Sequence, residues 1–304
     1  MQAQRADRLA LIRAIEAERR SRVLSYVMAE GTIIADDAVL PIYYRLAAMG
    51  RCPRLDLYIV SRGGITEVCW KLVTLLREFT DHLGIIVPYR AHSGGTLIAL
   101  GADEIVMGPM SELGATDPAR SHFLLPSGGD GQPAPVSVED LRRCIEFIRR
   151  EGGGHTDFVT ALFSYIHPLA IGALEQSHAL VERIARKALA THWDAEARAE
   201  DIERVVVTLN GRLHSHTYPI GRAEARDDLG LPVVDAAPSL WARVWALYEQ
   251  YQAGFGMVLP GSSPDIRRRC VCIVETTDGA TSAYQMLRAA NGVEQVVGGA
   301  WETI

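Results

Sequence analysis

A chain of 304 residues, 48% hydrophobic and 22% charged, has length for one large domain or two modest ones, and its composition excludes disordered, collagen-like and disulfide-scaffold classes. Thirty-one basic against 37 acidic residues give a net charge of −6, no general electrostatic ground for holding nucleic acid or an acidic membrane surface. The basic residues are arginines except for Lys71 and Lys187, and the five cysteines (Cys52, Cys69, Cys144, Cys270, Cys272) are odd in number and widely spread. That usage fits a reducing cytoplasm, and neither a signal-peptide pattern nor an apolar run of the roughly 18 residues a membrane span needs is present.

Along the chain, residues 6–20 set Leu9, Ile12 and Ile15 at helical spacing between charges, which predicts an amphipathic first helix packed on its own domain. Residues 22–29 read as a strand, and Asp36-Asp37 as the cap of a helix over 38–49. Residues 55–60 alternate as a strand, Ser61-Arg62-Gly63-Gly64 breaks it, and 67–79 resume helical spacing. A short buried strand over 85–87, a small-residue helix over 93–101 and a strand over 104–107 follow. Three β–α units in a row predict a parallel sheet with helices on its faces. Residues 127–133 read as a loop, Ser137 as the cap of a helix reaching 150, and 156–191 as helical with Pro168 near a helix start. Residues 205–209 read as a strand, 223–229 as a short helix before Gly230, and 239–251 as an aromatic-rich helix. The tail, 269–274 and 281–287 around Asp278-Gly279, reads as a β-hairpin. The division expected is a domain over 1–235 with a helical insertion at about 137–200, then a helix and hairpin extension over 236–304.

A Gly-Gly turn at the end of one strand and a serine opening a small-residue helix after the next is an arrangement acyl transfer can use. The serine is a nucleophile, and backbone N–H groups of the turn and of the residue after the serine can face an oxyanion. The parts are Gly63, Gly64, Ser93 and Gly94. On periodicity alone the same residues serve equally as a close-packed turn with a capping serine. Other patterns read as structural: Cys270 and Cys272 as one packed strand face, Arg267-Arg268-Arg269 as a solvated loop, and Trp241, Trp245 and Tyr248 as core or subunit interface. His214 and His216 lack an evident third ligand, so no metal is expected, and no phosphate-loop or dinucleotide glycine fingerprint calls for a cofactor.

The stretch from Leu57 to Ile65, the run Ala91-His92-Ser93-Gly94-Gly95-Thr96 through Asp103, Gly114-Ala115-Thr116-Asp117-Pro118, the helix opening at His167-Pro168, and His216-Thr217-Tyr218-Pro219-Ile220 together resemble the ClpP and signal-peptide-peptidase A superfamily. The branch they resemble is the serine dehydrogenase proteinases, over roughly residues 8–250. The resemblance implies an α/β ClpP/crotonase-like spiral of β-β-α units, a serine nucleophile and peptide-bond hydrolysis in an oligomer. It places the ClpP histidine position at Thr116 or Asp117 and the ClpP aspartate position near His216, which implies the order Ser93, Asp117, His216. Triads are recognised by geometry rather than sequence order, so His216 as base and Asp117 as its orienting partner is an acceptable arrangement. His92, His122, His155, His167 and His178 are the rival bases. The signal-peptide-peptidase branch uses a serine–lysine dyad, and neither Lys71 nor Lys187 stands where that base belongs. Thr217 after the histidine and Ser-Gly-Gly at the nucleophile depart from the branch's usual aspartate and Ser-Ala-Gly, which keeps a catalytically silent scaffold or peptide-binding module as the alternative. The expected partners are a peptide or unfolded protein substrate and other copies of the chain, with no nucleic acid; the sequence does not say whether an unfoldase or membrane-anchored protein joins them.

Overall fold

The computed structural model describes residues 2–120, 136–151, 167–213, 215–255, 257–260, 266–290 and 293–303. The loop expected at 127–133, the first part of the helix expected at 156–191, and His122, His155 and His214 lie outside these residues.

Helix α1 (Gln2–Arg19) leads into β1 (Arg22–Met28), a 3-10 turn (Asp36–Ala38), α2 (Val39–Met49) and β2 (Cys52–Val60). Then come α3 (Thr66–Glu78), β3 (Thr80–Val87), β4 (Arg90–Ala91), α4 (Gly94–Ala99), β5 (Glu104–Met107) and β6 (Glu112–Gly114). The short strands β7 (Ala119–Arg120) and β8 (Val136–Ser137) pair with each other ahead of α5 (Val138–Glu151), α6 (Pro168–Leu189) and α7 (Ala199–Val207), which continues as a π-helical turn (Thr208–Arg212). The chain closes with β9 (Pro219–Gly221), α8 (Arg222–Asp227), β10 (Val233–Asp235), α9 (Pro238–Phe255), β11 (Val258–Pro260), β12 (Ile266–Thr276), β13 (Gly279–Ala290) and β14 (Val293–Thr303).

One sheet runs in the order β10-β5-β3-β2-β1-β12-β13-β14, with β11 on β12. From β10 to β1 every neighbour is parallel, and from β12 onward every pair is antiparallel. A second, smaller layer carries the other β of each β-β-α unit: β4-β6-β9, with single bridges Ile34 to Gly64 and Ser61 to Ala91. The expected α/β spiral is therefore present, with α5, α6 and α7 inserted between β8 and β9.

The parallel strands are apolar on both sides because both sides are covered. Leu24, Tyr26, Leu57, Ile59, Leu83 and Ile85 pack under α2, α3, α4 and α6. Val23, Val27, Tyr58 and Ile86 meet Ile12, Ile15, Val244, Leu247 and Tyr251 of α1 and α9 on the opposite face. Burial of two of its predicted stripe residues, Ile12 and Ile15, at 0% exposure confirms that α1 packs on its own chain.

Four readings of the sequence need correction. Residues 205–209 are helical, because Ile202, Val205, Val206 and Leu209 recur at helical spacing and are all buried. Asp36 and Asp37 cap nothing: Asp36 pairs with Lys71 at 2.8 Å and Asp37 accepts from Trp301 Nε1 at 2.9 Å. Arg267, Arg268 and Arg269 stand in β12, with Arg268 on Glu302, and are no loop. Cys270 and Cys272 enter the cores on opposite faces, since a bulge between them breaks the two-residue alternation. The Ser137 cap forms, its Oγ accepting from Asp140 N–H at 3.0 Å while Asp140 Oδ2 accepts from Ser137 N–H at 3.1 Å. The predicted hairpin forms as β12 and β13. Among the described residues no helix is long and apolar enough to cross a membrane.

Candidate active site

Ser93 sits between β4 and α4 at φ 48° and ψ −111°. A non-glycine residue there is strained by about 1–3 kcal/mol and persists only where its surroundings over-determine it. They do so here: Ser61 N–H donates to Arg90 O at 2.9 Å, His92 N–H to Ser61 O at 3.0 Å, and Gly95 N–H to His92 O at 2.7 Å. Thr96 Oγ1, buried, lies 2.7 Å from Ala91 O and accepts from Gly114 N–H at 3.0 Å, pinning the elbow to β6. The side chain of Ser93 makes no capping hydrogen bond, and the residue is partly exposed. The capping reading of this serine is thus not used, and its Oγ stands at the mouth of a tight strand-to-helix turn, the geometry of a nucleophile elbow.

The glycine turn presses on this elbow. Gly63 has φ +112°, and a Cβ on it would lie 2.6 Å from Ser93 Cβ and 3.0 Å from its Oγ. A Cβ on Gly94 would meet Cys69 Sγ at 2.6 Å and Gly64 N at 3.0 Å. Glycine is required at both places because backbone approaches backbone there. The Gly63 N–H is donated to Ser61 Oγ at 2.9 Å. The amides of Gly64 and Gly94 have no acceptor among the described residues and lie beside each other next to Ser93.

Asp117 follows β6 and is 8% exposed; its Oδ1 lies 2.9 Å from Nδ1 of His216, just ahead of β9. The hydrogen bond to Asp117 raises the His216 pKa above its ordinary 6.5 against the opposing effect of burial. With Nδ1 held by a carboxylate, Nε2 is the nitrogen left to accept a proton. Ser93, Gly63, Gly64 and His216 line one groove of about 360 Å³, walled by Ile33, Ile65 and Leu180. No hydrogen bond joins Ser93 Oγ to His216, and neither Asp117 nor Gly94 is among the residues that line that groove.

The rival bases in the described residues are engaged elsewhere. His92 is buried, its pKa lowered by burial, and its Nε2 lies 3.1 Å from Glu112. His167 Nδ1 accepts from Leu169 N–H at 3.2 Å at the start of α6, and His178 lies against Asn210 and Arg142. Lys71 pairs with Asp36, and Lys187 lies over the Trp70 ring, so neither reaches Ser93. Among the described residues no group of histidine, cysteine and carboxylate side chains is placed to hold a metal. Two contributors escaped the sequence reading: Cys69, buried beneath Gly94 with its thiol pushed up to about 12 by burial, and Leu209, whose carbonyl takes the Thr116 N–H at 2.9 Å. The helical periodicity of 202–209 was the signal for the second.

Residues 1–128 match the family model of the ClpP-like SDH-type serine proteinases. Two uncharacterized proteins of Methanocaldococcus jannaschii are similar over most of the chain. One is 32% identical over 261 residues, 82% of this chain and 78% of its own length; the other is 26% identical over 255 residues, 80% and 79%. Among solved structures, a mutant of ClpP1 from Listeria monocytogenes superposes with a TM-score of 0.38 at 14% identity, over 75% of this chain and 99% of its own. A mutant of the 1510-N membrane-bound stomatin-specific protease gives 0.41 at 15% identity, over 78% and 86%.

Proposed function

The chain belongs to the ClpP-like SDH-type serine proteinases, and from that premise we propose that it hydrolyses peptide bonds in peptides or unfolded segments, with Ser93 as nucleophile, His216 as base and Asp117 orienting the base. Ser93 Oγ attacks the scissile carbonyl carbon and gives its proton to His216 Nε2. Collapse of the tetrahedral intermediate breaks the C–N bond, and His216 hands that proton to the leaving amine. The oxyanion is received by the amides of Gly64 and Gly94. Gly63 shapes the turn rather than donating, its amide being engaged by Ser61. Removing one such donor typically lowers the rate about a hundred- to a thousandfold.

The observation that carries this reading is the strained Ser93 elbow opening on the groove that His216 also lines, with His216 held at 2.9 Å by Asp117. The open Ser93–His216 spacing is compatible with it, because catalytic hydrogen bonds are often long in free enzymes and tighten around substrate. The same open spacing is the observation that favours the second reading, a silent scaffold that binds a peptide without cleaving it. Unfolded casein separates the two. The peptidase reading expects cleavage by the full chain and none by Ser93→Ala, whereas equal outcomes for both proteins, whether cleavage or none, remove Ser93 from the function.

The active unit is further proposed to be a homo-oligomer, at least a dimer, working in the cytoplasm. Exposed apolar side chains on α2 (Leu40, Tyr44) and at the groove mouth (Ile33, Ile65) support subunit contacts. Light scattering at micromolar concentration tests this: a mass of one 33.3 kDa chain across dilution and salt contradicts it.

A further inference from the structure

Ser93 and His216 bear on the bond to be broken; the side chains admitted beside that bond are chosen by the rest of the groove. Two of its walls are apolar and open to solvent, Ile33 at 57% exposure and Ile65 at 44%. Besides His216 it is lined by two charged side chains, Arg62 and Glu67. Arg62 is neutralised, its guanidinium lying 2.7 Å from Glu30. Glu67, exposed in the first turn of α3, has no cation or hydrogen-bond donor on its carboxylate among the described residues. Lys71, one turn further along α3, is turned to Asp36 at 2.8 Å. The same sign continues past Ile33, which also walls a neighbouring cavity of about 470 Å³. The single charged side chain lining that cavity is Asp37, exposed, which accepts from the neutral Trp301 Nε1 at 2.9 Å and has no cation among the described residues.

The groove therefore keeps one uncompensated charge, and it is negative, in a chain whose net charge is −6. A cleft of one sign raises the local concentration of the opposite one. The walls decide which cation fits. A lysine or arginine side chain lays its methylene stem on apolar surface and keeps its charged head at a polar edge, and Ile65 and Glu67, two residues apart, supply both. An acidic side chain meets the free Glu67 and an Arg62 already engaged by Glu30. An apolar side chain uses the walls but takes water from the Glu67 carboxylate without replacing it.

Resting on the peptidase reading, we propose that Glu67 is the specificity-determining residue of this groove and that its substrates are polypeptide segments with lysine or arginine beside the scissile bond. Glu67 takes no part in making or breaking bonds; it binds the cationic head while Ile33 and Ile65 bear the stem. A role confined to the start of α3, where the helix dipole favours a carboxylate, would leave the choice of substrate untouched.

Unfolded casein is cleaved with the full chain, and the cut sites are mapped by mass spectrometry. Peptides matched to one such site, with Lys, Gln or Glu beside the scissile bond, are then cleaved in competition, which reads the ratio of their kcat/KM values. Wild type is expected to prefer Lys over Gln by about two- to fivefold, the size an exposed ion pair gives, and Gln over Glu. The preference should shrink as salt is raised from about 0.05 M to about 0.5 M. Glu67→Gln should bring the Lys to Gln ratio to about one, Glu67→Asp should retain a preference for Lys, and Glu67→Lys should turn it toward Glu. A wild type that cleaves the Lys and Gln peptides equally, or a preference that Glu67→Gln leaves unchanged, overturns the proposal and leaves the peptidase reading standing. Casein left intact by wild type overturns the peptidase reading itself. Should Glu67→Lys fail to fold, Glu67→Gln against Glu67→Asp reads the same division.

Discussion

His216 is held by a carboxylate on Nδ1 alone, and that asymmetry decides its pH behaviour. The Asp117 hydrogen bond raises its pKa above 6.5, and a base works only when neutral, so the acid limb of kcat/KM is expected above pH 6.5. Asp117→Asn removes the charge that favours the imidazolium. The limb should move to lower pH, and kcat should fall by a factor on the order of ten thousand, because an amide N–H facing Nδ1 drives the proton onto Nε2. A limb that stays in place in Asp117→Asn contradicts the pairing. Stability carries the opposite sign: the raised folded pKa means the pair contributes below the unfolded pKa and is lost as pH rises through the folded one.

These residues were legible in the sequence to different degrees. Ser93 and its glycines stand in a contiguous pattern with a physical reason for each small side chain. Asp117 and His216 are 99 positions apart, and only family resemblance pointed to both. The resemblance offered Thr116 beside Asp117 for one matched position, and of the two it is Asp117 that is hydrogen-bonded to His216.

At the level of elements, the contact of the glycine turn with α4 makes a sharp demand on side-chain size. Gly94→Ala places a methyl 2.6 Å from Cys69 Sγ on α3 and 3.0 Å from Gly64 N, and such overpacking costs about 1–3 kcal/mol. Adding Cys69→Ala relieves the first clash and not the second. The double variant should therefore regain most of the lost stability in urea denaturation while its activity stays depressed. Full recovery of activity contradicts the place given to the Gly64 amide.

A second element-scale device ties α1 and α9 to the sheet. Glu275 of β12, fully buried, accepts from Arg8 Nε at 2.7 Å and from Tyr251 Oη at 3.0 Å. Glu275→Leu leaves the Arg8 guanidinium buried without its partner, and breaking such a pair costs about 3–5 kcal/mol. A loss under about 1 kcal/mol in urea denaturation contradicts this account. Sequence periodicity located the two helices and β12 but not this link, because Arg8 and Glu275 are 267 positions apart. Residues 205–209 misled for the opposite reason: three valines and a threonine carry strand propensity, and tertiary burial of one helical stripe overrode it. The strand β14 was missed because Gly298 and Gly299 interrupt its apolar pattern.

Over the whole molecule, the parallel half of the sheet carries the site at the ends of its strands, where ligands of open α/β sheets bind. The antiparallel half, β12 to β14, extends the same sheet on the far side of β1. The parallel half was legible because β–α alternation with strands buried on both faces leaves one solution, helices on each side. The single sheet uniting both halves was not, since pairing of β1 with β12 joins Ser25 to Glu275 across most of the chain.

The central claim is that this fold raises Ser93 as an activated nucleophile, and covalent capture tests it most directly. The full chain is incubated with a fluorophosphonate at pH 8 and the adduct is located by peptide mass mapping, alongside Ser93→Ala and His216→Ala. The account predicts a single adduct on Ser93, none on Ser93→Ala, and labelling slowed about a hundredfold or more in His216→Ala. An adduct that persists in Ser93→Ala, or labelling of Ser93 at the same rate without His216, contradicts it.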